Sequence, residues 1–196
     1  MLSINNCSNE IVIKKSRFIT FLYRVDDVSD VNKYLDLLNK EYSDATHICY
    51  AYIIDNVKRF SDNGEPGGTA GMPILNVLEN KNLDHVLCCC VRYFGGIKLG
   101  ANGLVRAYST SCSDAINCGS IVSLSKGYLC CFTFNYDDTK VIDNILVNCS
   151  IIDKTYNDKV CYSFKIDCDN YDLIFNELNK YGDLNIINDC YIEKDI

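Results

Sequence analysis

Polar and apolar positions recur with two periods along this chain, and the periods divide it into short elements. Ile11–Ile13 and Phe18–Val25 read as strands separated by the polar run Lys14-Lys15-Ser16-Arg17. In Val28–Tyr42, Val31, Tyr34, Leu35 and Leu38 recur at helical spacing, with Asp27 or Ser29 placed to cap the start. His47–Ile54 reads as a strand, Arg59–Gly68 as a largely polar loop, and Thr69–Asn80 as a helix containing Pro73. Val86–Tyr93 is apolar at odd and even positions alike, which predicts a central strand buried on both faces. Phe94–Asn102 is a glycine-rich loop, and Gly103–Cys118 a helix that stops at Gly119.

The remainder has a simpler rhythm. Tyr128–Asn135 reads as a strand. Asp137–Asn148 carries Val141, Ile142, Ile145 and Leu146 at helical spacing, and Asp137 and Asp138 suit the positive end of that helix. Ser150–Tyr156 and Lys159–Asp167 read as strands joined at Asn157-Asp158. Asn170–Tyr181 is helical again, with Gly182 as its expected cap, and Asp183–Glu193 closes as a strand. The order is βαββαβ, that of a ferredoxin-like domain.

Charge and glycine place a boundary between the two parts. Residues 1–125 hold 12 Lys/Arg and 13 Asp/Glu, whereas residues 126–196 hold 7 and 13, so the formal net charge of −7 falls almost wholly on the second part. Nine of the 11 glycines lie between Gly64 and Gly119. An α+β chain of two domains, 1–125 and 126–196, is expected. No apolar run reaches the roughly 18–20 residues of a membrane span, and the first residues lack a signal-peptide pattern. A cytoplasmic protein is therefore expected, with no membrane partner. There the 13 cysteines stay reduced, and none are spaced C-x-x-C. They read as small buried hydrophobes, and no metal site or cofactor is expected.

Two loops carry candidate chemistry. The first runs from Arg59 to Pro73 and includes Asp62, Asn63, Gly64, Glu65, Gly67, Gly68 and Thr69. The second runs from Arg92 to Tyr108 and includes Gly95, Gly96, Lys98, Gly100, Gly103 and Arg106. Each leads from a strand to a helix, whose first N–H groups and dipole favour an anion. Neither fits a P-loop or a dinucleotide fingerprint. The same glycines also serve simply to make tight turns. His47 and Cys49 share a strand face, a spacing that does not by itself make a nucleophile–base pair. Asp62 and Glu65 are loop carboxylates, fit either to cap a turn or, less completely, to bind a hydrated metal. His85, beside Asp84, is expected at the surface.

Ser61-Asp62-Asn63-Gly64-Glu65-Pro66-Gly67-Gly68-Thr69-Ala70-Gly71-Met72-Pro73-Ile74-Leu75 resembles the signature of the IMPACT/YigZ family. So does Val91-Arg92-Tyr93-Phe94-Gly95-Gly96-Ile97-Lys98-Leu99-Gly100, continued by Gly103-Leu104-Val105-Arg106-Ala107-Tyr108. Lys15-Ser16-Arg17-Phe18 and Ala45-Thr46-His47-Ile48-Cys49-Tyr50-Ala51-Tyr52 agree, and the likeness covers residues 14–118 in order. Asn63, Gly67 and Asn102 depart from the family pattern, which has Asp, Ser and Gly there. The resemblance implies a first domain similar to the second domain of a small-subunit ribosomal protein, as in elongation factor G domain IV. It implies a second domain resembling the ferredoxin-like C-terminal domain of elongation factor G. Eukaryotic relatives carry a further N-terminal domain used in translational stress control. No such extension, and no partner that depends on it, is expected here.

The expected function is that of a non-catalytic, translation-associated regulatory protein. Its loops 61–71 and 94–103 would bind RNA phosphate or a ribosome-associated protein. The anion-binding candidates are Arg92, Gly95, Gly96, Lys98, Gly100, Gly103 and Arg106, lined by His47, Cys49, Gly64, Gly68 and Thr69. The alternative is an enzyme acting on a small phosphorylated or nucleotide-like substrate between the same loops, with His47, Asp62 and Glu65 as catalytic candidates.

Overall fold

The computed structural model describes residues 1–194. Its elements run β1 (Leu2–Ile4), β2 (Cys7–Ile13), β3 (Ser16–Arg24), α1 (Val28–Glu41), β4 (His47–Ile54), β5 (Val57–Ser61), α2 (Gly71–Asn80), β6 (Val86–Tyr93), α3 (Ala101–Cys118), β7 (Ile121–Phe134), α4 (Thr139–Ile145), β8 (Ser150–Tyr156), β9 (Val160–Asp167), α5 (Cys168–Leu178) and β10 (Gly182–Lys194). They form a mixed α+β chain of two compact units, Met1–Ser123 and Leu124 onward.

The first unit is built on an antiparallel sheet ordered β2-β3-β6-β4-β5. Its strands alternate inward side chains between two faces. Phe18 and Leu22 of β3, Cys49, Ala51 and Ile53 of β4, and Cys88 and Cys90 of β6 pack with Ile74 and Leu78 of α2 and Leu104, Ala107, Tyr108 and Cys112 of α3. On the other face, Leu87, Cys89 and Ile54 pack with Val31 and Leu38 of α1 and a fringe of tyrosines. Both faces of β6 are therefore buried, as its continuous apolar run predicts, and β6 lies at the centre of the sheet. Asp27 caps α1, its carboxylate accepting from the amides of Ser29 (2.7 Å) and Asp30 (3.1 Å). β1 pairs with Ile121–Ser123 at the start of β7.

Three sequence expectations are corrected here. Residues 59–61 are not loop but the end of β5, which forms a hairpin with β4 across Asp55-Asn56, both at positive φ (48° and 63°). Every residue of β5 up to Phe60 is exposed, so an edge strand of this kind leaves no alternation to read. His85 is not at the surface: it is fully buried, with Nδ1 3.1 Å from the Val25 carbonyl and Nε2 3.4 Å from Asp55 Oδ1. Gly182 does not cap α5, which ends at Leu178 with Asn179 as its cap; it opens β10, where a Cβ would stand 2.0 Å from the Thr133 carbonyl oxygen.

In the second unit the elements follow βαββαβ, and the strands lie in the order β10-β7-β9-β8. Cys130, Phe132 and Phe134 of β7 and Val160, Tyr162, Phe164 and Ile166 of β9 form its core with Ile142 of α4 and Leu178 of α5.

Candidate functional site

The ends of β4 and β6 meet the two glycine-rich loops around a cavity of about 420 Å³. His47, Glu65, Pro66, Arg92, Phe94, Lys98, Gly100 and Leu104 are among its lining residues. The register places His47 directly opposite Arg92.

Glu65 is the centre of the polar network. Its Oε1 accepts a short hydrogen bond from Arg92 Nη1 and another from the Tyr108 hydroxyl at 2.8 Å. Its Oε2 stands 3.9 Å from His47 Nε2. The Glu65 and Arg92 side chains are 3% and 6% exposed, so two opposite charges are buried as a pair. The Arg92 guanidinium also lies 5.4 Å from the Phe18 ring and 5.7 Å from the Phe94 ring, and reaches the Ser16 hydroxyl at 3.5 Å. Burial first, then the nearby Cys49, Cys90 and Glu65, push the Tyr108 hydroxyl far above its ordinary pKa, so it remains a donor to Glu65.

Loop one is tied to β4 by its own backbone. His47 Nδ1 lies 2.8 Å from the Asn63 carbonyl, a contact in which the ring must donate. The Cys49 thiol lies 2.9 Å from the Asp62 carbonyl and 3.4 Å from the Tyr108 oxygen. Burial pushes that thiol up to about 12, so the form present is the unreactive thiol. His47 and Cys49 thus share a face but both address the loop. Gly64, at φ 85°, packs beneath the His47 ring, where a Cβ would come within 3.3 Å of Nδ1. The Asn63 side-chain amide donates to the Ile48 carbonyl at 2.9 Å, which a carboxylate at this position could not do. Gly67 faces open space, so the family's larger residue would fit there. Nothing in the structure explains Asn102.

Asp62 has a different task from Glu65. Its carboxylate accepts from the amides of Gly68 (2.8 Å), Ala70 (2.9 Å) and Gly71 (2.8 Å), at the start of α2. The anion favoured at that helix end is therefore supplied by the chain itself. Thr69 completes the turn, its hydroxyl donating to the Pro66 carbonyl at 2.6 Å. At α3 no such group intervenes among the described residues. Its cap is Gly100, which has no side chain to offer, and the first amide bonded back along the helix is that of Leu104. Gly100 and Ala101 line the cavity beside the exposed Lys98.

The second loop is seated by Ser16 and Thr46, which accept from the amides of Gly95 (3.2 Å) and Phe94 (3.0 Å). Gly95 lies against the Lys15 backbone, where a Cβ would stand 2.0 Å from the Lys15 carbonyl carbon. Gly96 and Gly103 belong to this loop and to the first turn of α3. Arg106 does not join the cavity; it is exposed farther along α3. The buried partners Ser16 and Tyr108 carry no sequence signal of a site role beyond falling in the motif-like stretches. Among the described residues no group of three or more metal-ligating side chains converges.

The family profile described as the Impact N-terminal domain matches residues 14–116, the stretch that supplies every side chain of this network. The chain is 46% identical over 112 residues to the IMPACT family member YvyE of Bacillus subtilis, covering 56% of this chain and 52% of that one. It is 41% identical over 109 residues to the IMPACT family member YigZ of Escherichia coli, covering 53% of each. These alignments span about half the length of the curated relatives. A solved structure titled as a hypothetical protein is similar over 95% of this chain and 97% of its own, with a TM-score of 0.65 and 28% identity. The chain belongs to the IMPACT/YigZ family.

Proposed function

We propose that this chain is a non-catalytic, translation-associated binding protein that takes an RNA phosphate at the N-terminal end of α3. One observation carries the reading: the α3 end opens on the cavity beside Lys98, while the equivalent end of α2 is already filled by Asp62. An anion there would meet unpaired amides, the helix dipole and an ammonium group. The buried Arg92–Glu65 pair holds the floor and is neutral as a unit, so Lys98 is the cation that contacts the ligand. Resemblance supplies the cellular setting. The first unit is read as the ribosomal-protein second-domain fold and the second as ferredoxin-like, both used by elongation factor G. The second unit's net charge disfavours phosphate, which assigns the contact to the first.

Fluorescence anisotropy with a short single-stranded RNA, titrated at several salt concentrations, tests this. Binding should weaken with salt by about 0.7 log units per log unit for each phosphate contacted. Lys98→Ala should reduce that slope by one contact, and Arg106→Ala should leave it unchanged. Absence of salt-dependent binding, or equal effects of the two substitutions, would rule the reading out.

The cavity volume also falls in the range of small-molecule sites, which favours a second reading, an enzyme for a small phosphorylated or nucleotide-like substrate near His47 and Glu65. A thermal-shift screen separates the two. A small anion at about 100 times its Kd should stabilise the chain by ~2.7 kcal/mol if this second reading holds.

A further inference from the structure

Cys131 on β7 and Cys161 on β9 stand apart from the other thiols. They sit on adjacent antiparallel strands as diagonal neighbours, two residues off direct pairing, since Cys131 faces Ser163 and Cys161 faces Thr133. Their neighbours Cys130, Phe132, Val160 and Tyr162 point into the core, so alternation puts both thiols on the opposite face of the sheet, where each is partly exposed. Diagonal neighbours in a sheet are usually too far apart for small side chains to touch. Here the two sulfur atoms are 2.7 Å apart. Another close pair, Cys88 and Cys112 at 3.5 Å, is fully buried and closed to any reagent in solution.

We propose that Cys131 and Cys161 are a reversible oxidation site, forming a cross-strand disulfide by exchange with a low-molecular-weight disulfide. One protein thiolate attacks a sulfur of the small disulfide, forming a mixed disulfide and expelling one small thiolate. The second protein thiolate then attacks the protein sulfur of that mixed disulfide and expels the other. Two protein thiols are oxidised to one disulfide, and one small disulfide is reduced to two thiols. The two protons leave with the departing thiols. Burial, followed by its contact with Cys161, raises the Cys131 thiol to about 11. Cys131 therefore rests as a thiol at neutral pH, and its exchange accelerates as pH rises. The bridge ties β7 to β9, the two central strands of the second unit.

The test uses the full chain, equilibrated in its native state with oxidised glutathione, quenched with acid, then denatured and treated with maleimide. In the expected product Cys131 and Cys161 take up no maleimide, and the peptides joined through them weigh two hydrogen atoms less than the reduced pair. Peptide mapping should place the bridge between Cys131 and Cys161. Cys131→Ser removes the resolving thiol and should instead leave glutathione on Cys161; Cys131→Ala gives the same result without a hydroxyl at that position. Uptake of 13 maleimides by the wild type, stable glutathione adducts on its Cys131 or Cys161, or a bridge from either of these to Cys88, Cys112 or a second chain would overturn the proposal.

Discussion

Glu65 and Arg92 are 27 positions apart in sequence, yet each is the reason the other can be buried. Removing one partner strands a charge, whereas replacing both with apolar groups does not. Glu65→Ala is expected to cost ~3–5 kcal/mol in urea unfolding, and a Glu65→Leu/Arg92→Met double variant markedly less. Cys49 makes the opposite case, a residue whose chemistry is suppressed by its place. With its thiol raised to about 12, Cys49 should resist iodoacetamide at pH 8 in the native chain and react once denaturant is added. Native labelling at Cys49 in a peptide map would contradict this.

At the scale of elements, three helices have an aspartate at their start: Asp27 at α1, Asp62 at α2 and Asp167 at α5. Asp27 precedes α1 directly, and hydrogen bonds from the Ser29 side chain and the Asp30 and Ser29 amides hold its carboxyl below the ordinary value. Its folded pKa is depressed, so its contribution is complete above the unfolded value of about 3.9 and is lost as pH falls through the lower folded value. The melting temperature of Asp27→Ala should lie below that of wild type at pH 7, and the two should converge in acid below about pH 4. That cap, the β6 run and the β8–β9 hairpin were legible because neighbouring residues carry their whole signal. Three elements gave less. β1 has three residues, β5 has no buried face, and Gly182 is dictated by a backbone 49 positions away at Thr133. The Asp55-Asn56 turn was the one local cue that could have revealed β5.

At the scale of the whole molecule, the two units have separate hydrophobic cores. Phe132 is fully buried in the second, so Phe132→Ala should cost ~3–5 kcal/mol there. Hydrogen exchange should rise at the amides of β7 beyond Leu124 and of β9, while β6 keeps its protection. Equal loss of protection in β6 would show one cooperative core. The cavity was only half legible at this scale. The glycine-rich loops and Lys98 announce themselves by composition, whereas the division of labour between Asp62 and Glu65 depends on which backbone amides and which buried arginine each one meets. Arg106 has the right charge in the right stretch but turns to solvent on α3.

Asp62 has one further consequence. A side chain that serves as a helix's resident anion can be deleted and returned from outside. In Asp62→Ala the amides of Gly68, Ala70 and Gly71 lose their acceptor, and the chain should melt earlier. Formate, a detached carboxylate, should then restore part of the loss with saturating dependence, and chloride at equal ionic strength should not. Such chemical rescue would turn a self-satisfied helix end into a receptor, and would calibrate how strongly this fold's backbone alone grips an anion.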